Sequence, residues 1–295
     1  VEIIQGRTQR AGAMISSNTT LKILTAGYLV LFFAYLFLPL IFMAVVAFNV
    51  GSIPQVSPWE GYTLKWFGAL FVDRQMWEGL LNSLIVGVAV VAISVPVGLG
   101  GAMLLSRLQF EFRDFLYAVL VSPVLTPGII LGISTFLFLD RWMNVTGGLW
   151  TAIVAQSTFI SAYCMLLIMA RAQRFATTQE EAAFDLGASH RQVFWKITLP
   201  YLRPALISSA ALAFMQSFEN YNTTLFAIGF KQTLPIYIGT QLRVFISPAM
   251  NALAVVFITL TIAGAVLYQL TRTHQDAIRC RKKEKSNGNQ SLFEL

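Results

Sequence analysis

The chain alternates long apolar stretches with short polar connections. A helix rises about 1.5 Å per residue and the hydrocarbon core of a bilayer is about 30 Å thick, so a membrane span needs roughly 20 mainly apolar residues. The pattern therefore predicts an all-α membrane protein with six membrane-spanning helices, at about 24–48, 80–105, 115–139, 149–170, 205–228 and 251–270.

The composition agrees with a membrane location. Hydrophobic residues make up 56% of the 295 residues and charged residues 12%, with a mean hydropathy of +0.65, which is too apolar for a soluble domain. The predicted organisation is an N-terminal segment at 1–23, a transmembrane domain at 24–270 and a basic tail at 271–295. The composition of the tail is typical of disorder.

Positive charges predict the orientation of the spans, because Lys and Arg are retained on the cytoplasmic side. Sixteen of the 21 Lys and Arg residues lie in the N-terminal segment, in the loops at 106–114 and 171–204, and in the tail. Both termini and both loops are therefore expected to be cytoplasmic. The same distribution explains the net charge of +7 by lipid head groups rather than by nucleic acid, so no nucleic-acid partner is predicted.

The loop at 171–204 contains a specific spacing of residues. Glu181, Ala182 and Ala183 are followed after three positions by Gly187, and after nine more by the run Ile197, Thr198, Leu199 and Pro200. Thr178 is a candidate helix N-cap, Gly187 a terminator, and Ser189 a cap for a second helix. The loop is thus predicted to form two short helices joined by a turn.

This spacing resembles the EAA motif of the permease subunits of bacterial ATP-binding-cassette (ABC) importers with the type I fold. In that family the loop carries a coupling helix that docks onto a separate ATPase. The resemblance implies a multi-pass protein of the bacterial inner membrane whose partners, besides the lipid bilayer, are a second homologous permease, two ATPase subunits and an extracytoplasmic substrate-binding protein. It also assigns ATPase coupling to Glu181, Ala182, Ala183, Gly187, Ile197, Leu199 and Pro200.

ATP hydrolysis is expected to take place on the partner ATPases. The chain has no Gly-Lys dipeptide and hence no phosphate-binding P-loop, so ATP and Mg are assigned to the partners and no cofactor, metal or catalytic residue to this chain. Phe184, Phe194 and Trp195 provide more apolar area than an ordinary loop, which favours docking to a protein. The alternative is an amphipathic hairpin resting on the lipid surface.

The resemblance to importer permeases covers roughly residues 79–270, and shorter stretches are similar to spermidine/putrescine permeases. These stretches are 61–67, 121–123, 247–248 and 251–254. The chain departs from that subfamily at Asn220 and Val124, where the subfamily has acids. A smaller or less charged organic solute is therefore the alternative to a polyamine.

The predicted fifth span contains a polar run. An ionisable residue at membrane depth is costly, so Glu219 indicates a group lining a water-filled path, and a neighbouring aromatic ring can stack on an ammonium group. The alternative is that Glu219 pairs with a basic residue of a partner subunit and serves assembly. The candidate pathway residues are Glu219, Asn220, Tyr221 and Asn222.

Two other classes of membrane protein remain as rivals. The second and third predicted spans contain Pro96 and Pro127, residues that kink helices. An ion-coupled secondary transporter would also use kinked helices and a buried carboxylate, but the EAA loop argues against it. A membrane enzyme is disfavoured because His190 lies in the loop and His274 in the tail, neither in a metal-ligand or triad-like setting.

Overall fold

The computed structural model describes the backbone of residues 19–107, 111–244 and 247–293, and the side chains of residues 21–107, 111–243 and 247–273. Regular structure in these residues is helical, apart from one isolated β-bridge between Asn49 and Tyr62. The helices are α1 (Thr19–Ala47), α2 (Lys65–Val72), α3 (Arg74–Arg107), α4 (Arg113–Leu125), α5 (Gly128–Met143), α6 (Leu149–Ala172), α7 (Thr178–Asp185), α8 (His190–Val193), α9 (Leu199–Phe218), α10 (Asn222–Ala227), α11 (Leu234–Val244) and α12 (Pro248–Phe293).

The membrane-spanning candidates agree with the predicted all-α membrane fold. Among the described residues, five helical runs are long and apolar enough to cross a bilayer: α1, α3, α6, the run from α8 through α9, and α12. The bent pair formed by α4 and α5 makes a sixth if the pair counts as one span. A π-helical turn, Phe194–Thr198, joins α8 to α9.

The third predicted span, 115–139, is not one straight helix. Helices α4 and α5 meet at an angle of 103°. Thr126, which follows α4, has extended backbone angles (φ −84°, ψ 130°), and it precedes Pro127. The ring of a proline disfavours the helical conformation of the residue before it, so the break follows from this local sequence.

The fifth predicted span, 205–228, is wrong at both ends, because α9 begins at Leu199 and ends at Phe218. The side-chain oxygen of Asn220 accepts the backbone N–H groups of Thr223 and Thr224, each at 3.2 Å. These bonds cap a new short helix, α10, and make residues 219–221 a break in the apolar segment.

The described residues divide into two compact units, 19–72 with 247–293, and 73–107 with 111–244. In the first unit, α1 packs against α12, and the connection after α1 is organised around the buried side chain of Asn49. The Asn49 amide nitrogen donates to the carbonyl of Gln55 at 3.0 Å, and its oxygen accepts the N–H of Glu60 at 3.1 Å. Most of α1 is apolar and exposed, as expected for a helix surrounded by lipid.

Helix α12 continues to Phe293, through the tail for which the composition predicts disorder. Lys, Arg, Gln and Glu are good helix formers, and extending an existing helix avoids the cost of nucleation. The described backbone is thus helical to Phe293, and the disorder of the tail at 271–295 stays a prediction.

The second unit has its core between α3, α6 and α9. A Cβ atom added at Gly98 of α3 would lie 2.6 Å from the Cβ of Cys164 in α6, and one added at Gly101 would lie 2.8 Å from the sulfur of Met165. Small residues thus bring the backbones of these two helices together. The fully buried side chains around this contact include Val90, Leu105, Ile160, Ile168 and Leu202.

Candidate functional site

The first helix of the EAA loop, α7, ends at a glycine in the left-handed region. Gly187 has φ +82°. Its N–H donates to the carbonyl of Phe184 at 2.8 Å, and the N–H of Ala188 donates to the carbonyl of Ala183 at 3.0 Å. This pair of bonds is the Schellman arrangement, which satisfies the last carbonyls of a helix. The prediction that Gly187 terminates the helix is confirmed.

The N-termini of the two loop helices differ in how they are capped. Helix α7 begins at Thr178 itself, and Thr177 before it makes no side-chain capping bond, so the predicted cap at Thr178 is wrong. Ser189 forms a complete capping box for α8: its hydroxyl accepts the N–H of Gln192, and its own N–H donates to the Gln192 side chain at 2.9 Å. The predicted cap at Ser189 is therefore confirmed.

The loop has a carboxylate, a small side chain and large apolar side chains on its exposed surface. Glu181 and Ala182 are exposed, and Ala183 beside them is half-buried. Leu186 is 89% exposed and Trp195 59%. Exposing large apolar side chains to water is unfavourable, so this surface is suited to contact with another molecule.

The second half of the motif lies where the loop enters the fifth span. Ile197 and Leu199 are half-buried, and Pro200 is exposed at the start of α9, directly after the π-helical turn. Ile197 also lines a pocket of about 340 Å³ together with Leu186 and Gly187. The structure thus brings the two halves of the motif together.

An ion pair that the sequence reasoning missed ties α7 to α3. Glu180 is 7% exposed, and both of its carboxylate oxygens accept hydrogen bonds from the Arg107 guanidinium, one of them at 2.6 Å. The hydroxyl of Thr198 also donates to this carboxylate. Burial by itself raises the pKa of Glu180, but the bonds from Arg107 and Thr198 and the charge of Arg107 outweigh it, and the pKa lies below its ordinary value.

A second arginine holds the two ends of the loop together. Arg171, at the end of α6, donates from Nε to the carbonyl of Tyr201 at 2.8 Å. Its guanidinium also lies 4.5 Å from the centre of the Tyr201 ring, a cation–π contact, and Phe175 packs on the same ring. The beginning of α9 is therefore fixed to the end of α6.

The four candidate pathway residues have different surroundings. Glu219 and Asn222 are exposed on either side of the break after α9. Asn220 caps α10, and Tyr221 packs so closely on Gly239 that a Cβ atom there would lie 2.5 Å from its ring. The structure brings the four residues together at one break, and their contact with a substrate stays a prediction.

A buried amide, also missed by sequence reasoning, lies beside this break. Gln156 of α6 is fully buried; its nitrogen donates to the hydroxyl of Thr224 at 2.6 Å, and its oxygen accepts the hydroxyl of Ser217 at 2.5 Å. These bonds join the end of α9 to α10 across α6. A single amide within an apolar span was the available signal, since a polar group at that depth needs partners.

Comparison with known proteins decides the family. Residues 92–274, which include the whole EAA loop, match the family model described as binding-protein-dependent transport system inner membrane component. The chain belongs to this family. It is a permease subunit of an ABC importer, a class of membrane protein that works with an ATPase and a substrate-binding protein.

The permease is also similar to curated proteins over most of its length. It is 28% identical to the spermidine/putrescine transport system permease protein PotC of Shigella flexneri, over 90% of this chain and 97% of that protein. It is 30% identical to the putrescine transport system permease protein PotI of Escherichia coli (strain K12), over 85% of this chain and 92% of that protein.

Solved structures support the fold. A bacterial ABC transporter involved in the import of the acidic polysaccharide alginate superposes with a TM-score of 0.64 at 17% identity, covering 86% of this chain and 97% of that one. The inward-facing MetNI methionine ABC transporter gives a TM-score of 0.51 at 21% identity, covering 68% and 95%. At these identities the comparison concerns the fold alone, and it confirms the predicted type I permease fold.

Proposed function

We propose that this permease forms half of the translocation path for a polyamine, such as putrescine or spermidine, or for a similar small organic cation. The observation that carries the proposal is that PotC and PotI, both named for polyamine transport, are matched over more than nine-tenths of their lengths. The exposed carboxylate of Glu219 at the break after α9 supports it, because a carboxylate attracts an ammonium group.

The energy comes from two separate ATPase subunits, which bind ATP and Mg and dock on the exposed face of α7. This chain contributes no catalytic group and no cofactor. The other half of the path is a second homologous permease, and the solute is delivered by a substrate-binding protein outside. The exposed Glu181, Ala182 and Trp195 support the docking step, because their surface suits a protein partner.

The EAA loop and both termini face the cytoplasm in this proposal. The positive-inside distribution of Lys and Arg supports it. So does the contact between Arg107 and Glu180, since it joins two loops for which the charge count gives the same side.

The neutral Asn220 bears on the substrate. Its oxygen caps α10, a task that the carboxylate of an aspartate performs equally well. An acid at this position in the polyamine subfamily thus needs no change of backbone, and this chain differs from the subfamily in charge rather than in shape. A solute with fewer positive charges than spermidine remains the alternative.

Uptake of labelled putrescine and spermidine into vesicles that contain the complete complex tests the proposal. We expect accumulation that requires both ATP inside and the binding protein outside. ATP-dependent uptake of neither amine would reject the polyamine substrate. Uptake driven by an ion gradient without ATP would reject the importer mechanism in favour of a secondary transporter.

A further inference from the structure

Three side chains from three elements meet beneath α7. Arg107 is the last residue of α3, Glu180 lies in the first turn of α7, and Thr198 is the last residue of the π-helical turn before α9. We propose that this cluster, the Arg107–Glu180–Thr198 joint, is the link through which movement of α7 reaches α3 and α9. The inference rests on the proposed docking of an ATPase on α7.

Two adjacent residues of α7 have different contacts: one is available to a partner protein, and the other binds α3. Successive residues of a helix point about 100° apart, because a turn contains 3.6 residues. Glu181 is therefore exposed and available to a partner, while Glu180 is 7% exposed and turned toward α3. A displacement of α7 by a partner that contacts Glu181 would therefore also displace Glu180 and its contact with α3.

The hydrogen bonds between Arg107 and Glu180 should persist while α7 moves. The guanidinium of Arg107 reaches both carboxylate oxygens of Glu180, and a bidentate pair fixes direction as well as distance. Opening the pair would leave a buried carboxylate without its counter-charge, which is strongly unfavourable. The carboxylate also accepts the Thr198 hydroxyl, so the same group contacts the turn that leads into α9.

Beyond the joint, α3 leads into the core of its unit. It runs from Arg74 to Arg107, and its Gly98 lies against Cys164 of α6 without room for a Cβ atom. A displacement of Arg107 is therefore passed to α3 and α6 together. Helix α7 also contacts α8, because the ring centres of Phe184 and His190 lie 4.7 Å apart, whereas the Arg107 ion pair connects it directly to α3.

The test measures substrate transported per ATP hydrolysed in purified complexes reconstituted with the binding protein. Glu180→Gln should retain the ATPase subunits and their hydrolysis but lower transport per ATP about tenfold, within the range known for coupling between sites. Arg107→Lys, which keeps the charge without the bidentate fork, should recover part of the loss. Thr198→Ser should behave as the parent chain, and Thr198→Val should be impaired.

The matched control is Glu78→Gln. Glu78 pairs with Lys231 at 3.8 Å, and both side chains are at least half exposed, so its removal should leave the ratio unchanged. The joint is refuted if Glu180→Gln transports as much per ATP as the parent complex. It is equally refuted if that variant merely releases the ATPase, because Glu180 would then only shape the docking face.

Failure of the proposed function has a different signature. If the parent complex shows no ATP-dependent uptake, or if a charge introduced on the exposed face by Ala182→Glu leaves the ATPase bound as before, the docking proposal itself fails. An intact docking response combined with an unchanged ratio for Glu180→Gln would refute the joint alone.

Discussion

Glu180 and Glu181 are consecutive carboxylates with opposite surroundings. The first is buried in an ion pair with Arg107, and the second is exposed on the face of α7 that the EAA resemblance assigns to the ATPase. Their difference comes from helix geometry and from a guanidinium placed by another element. The contribution of each residue should therefore be separable by experiment.

The Glu180 ion pair should make stability depend on pH. Its folded-state pKa lies below the ordinary value of 4.5, so its contribution is fully present above that pH and is lost as the pH falls through the lower folded value. We expect Glu180→Gln to cost about 1–2 kcal/mol at pH 7, a modest figure because Arg107 remains partly exposed. Thermal unfolding of the purified permease should show this difference shrinking below pH 4.5, whereas a constant difference would contradict the assignment.

Asn220 offers a substitution that should increase transport. Asn220→Asp keeps the oxygen that caps α10 and places a second carboxylate beside Glu219. At subsaturating putrescine we expect uptake to rise about threefold, because an added charge typically contributes a fraction of a kcal/mol to about 1 kcal/mol in a solvated site.

The control for this substitution is Asn220→Ala, which removes the cap and should cost about 1 kcal/mol of stability without any gain in uptake. A decrease in putrescine uptake by Asn220→Asp, with normal assembly, would argue against a cationic substrate.

At the scale of elements, helix ends and helix contacts depend on particular glycines. Gly187 supplies a backbone conformation that ends α7, and Gly98 supplies the space in which α3 meets α6. Gly187 is needed for its positive φ angle, and Gly98 is needed because a larger side chain would not fit. They predict different patterns of tolerance to substitution.

At Gly187 the backbone conformation decides the outcome. A Cβ atom there would meet nothing within 4 Å, but φ is +82°, which favours glycine. Gly187→Asn should be tolerated, because asparagine adopts the left-handed region comparatively well. Gly187→Val should strain the turn by about 1–3 kcal/mol and weaken ATPase binding. Co-purification of the ATPase measures both variants, and equal binding by the two would show that the turn is not required.

At Gly98 the contact with α6 decides the outcome. Gly98→Ala would put its Cβ atom 2.6 Å from Cys164 Cβ and 2.8 Å from the backbone nitrogen of Met165, so we expect a loss of about 1–3 kcal/mol from overpacking. Gly100 on the same helix has nothing within 4 Å of an added Cβ atom. Gly100→Ala should therefore be neutral or stabilising in the same unfolding experiment. Similar melting temperatures for the two variants would exclude the close contact.

At the scale of the whole molecule, the apolar pattern predicts the membrane fold because bilayer thickness demands long apolar runs. An average of hydropathy over 20 residues conceals both breaks: Pro127 indicates that a helix can kink, but neither the 103° bend nor the break at Asn220 follows from the apolar pattern. The EAA spacing located the coupling loop. Glu180 could not be distinguished from Glu181, because its burial depends on Arg107, 73 positions earlier in the chain. Chain topology, rather than local sequence, determines that contact.

Site-specific photocrosslinking in the assembled complex tests whether α7 docks on a separate ATPase. Ala182, exposed on α7, is replaced by a benzophenone amino acid in the assembled complex, and Trp142, 82% exposed at the end of α5, is replaced in the same way as a control. We predict that irradiation joins position 182 to the ATPase subunit and that position 142 gives no ATPase adduct. An ATPase adduct absent from position 182, with crosslinks to lipid instead, would contradict the account and identify the loop as a hairpin on the membrane surface.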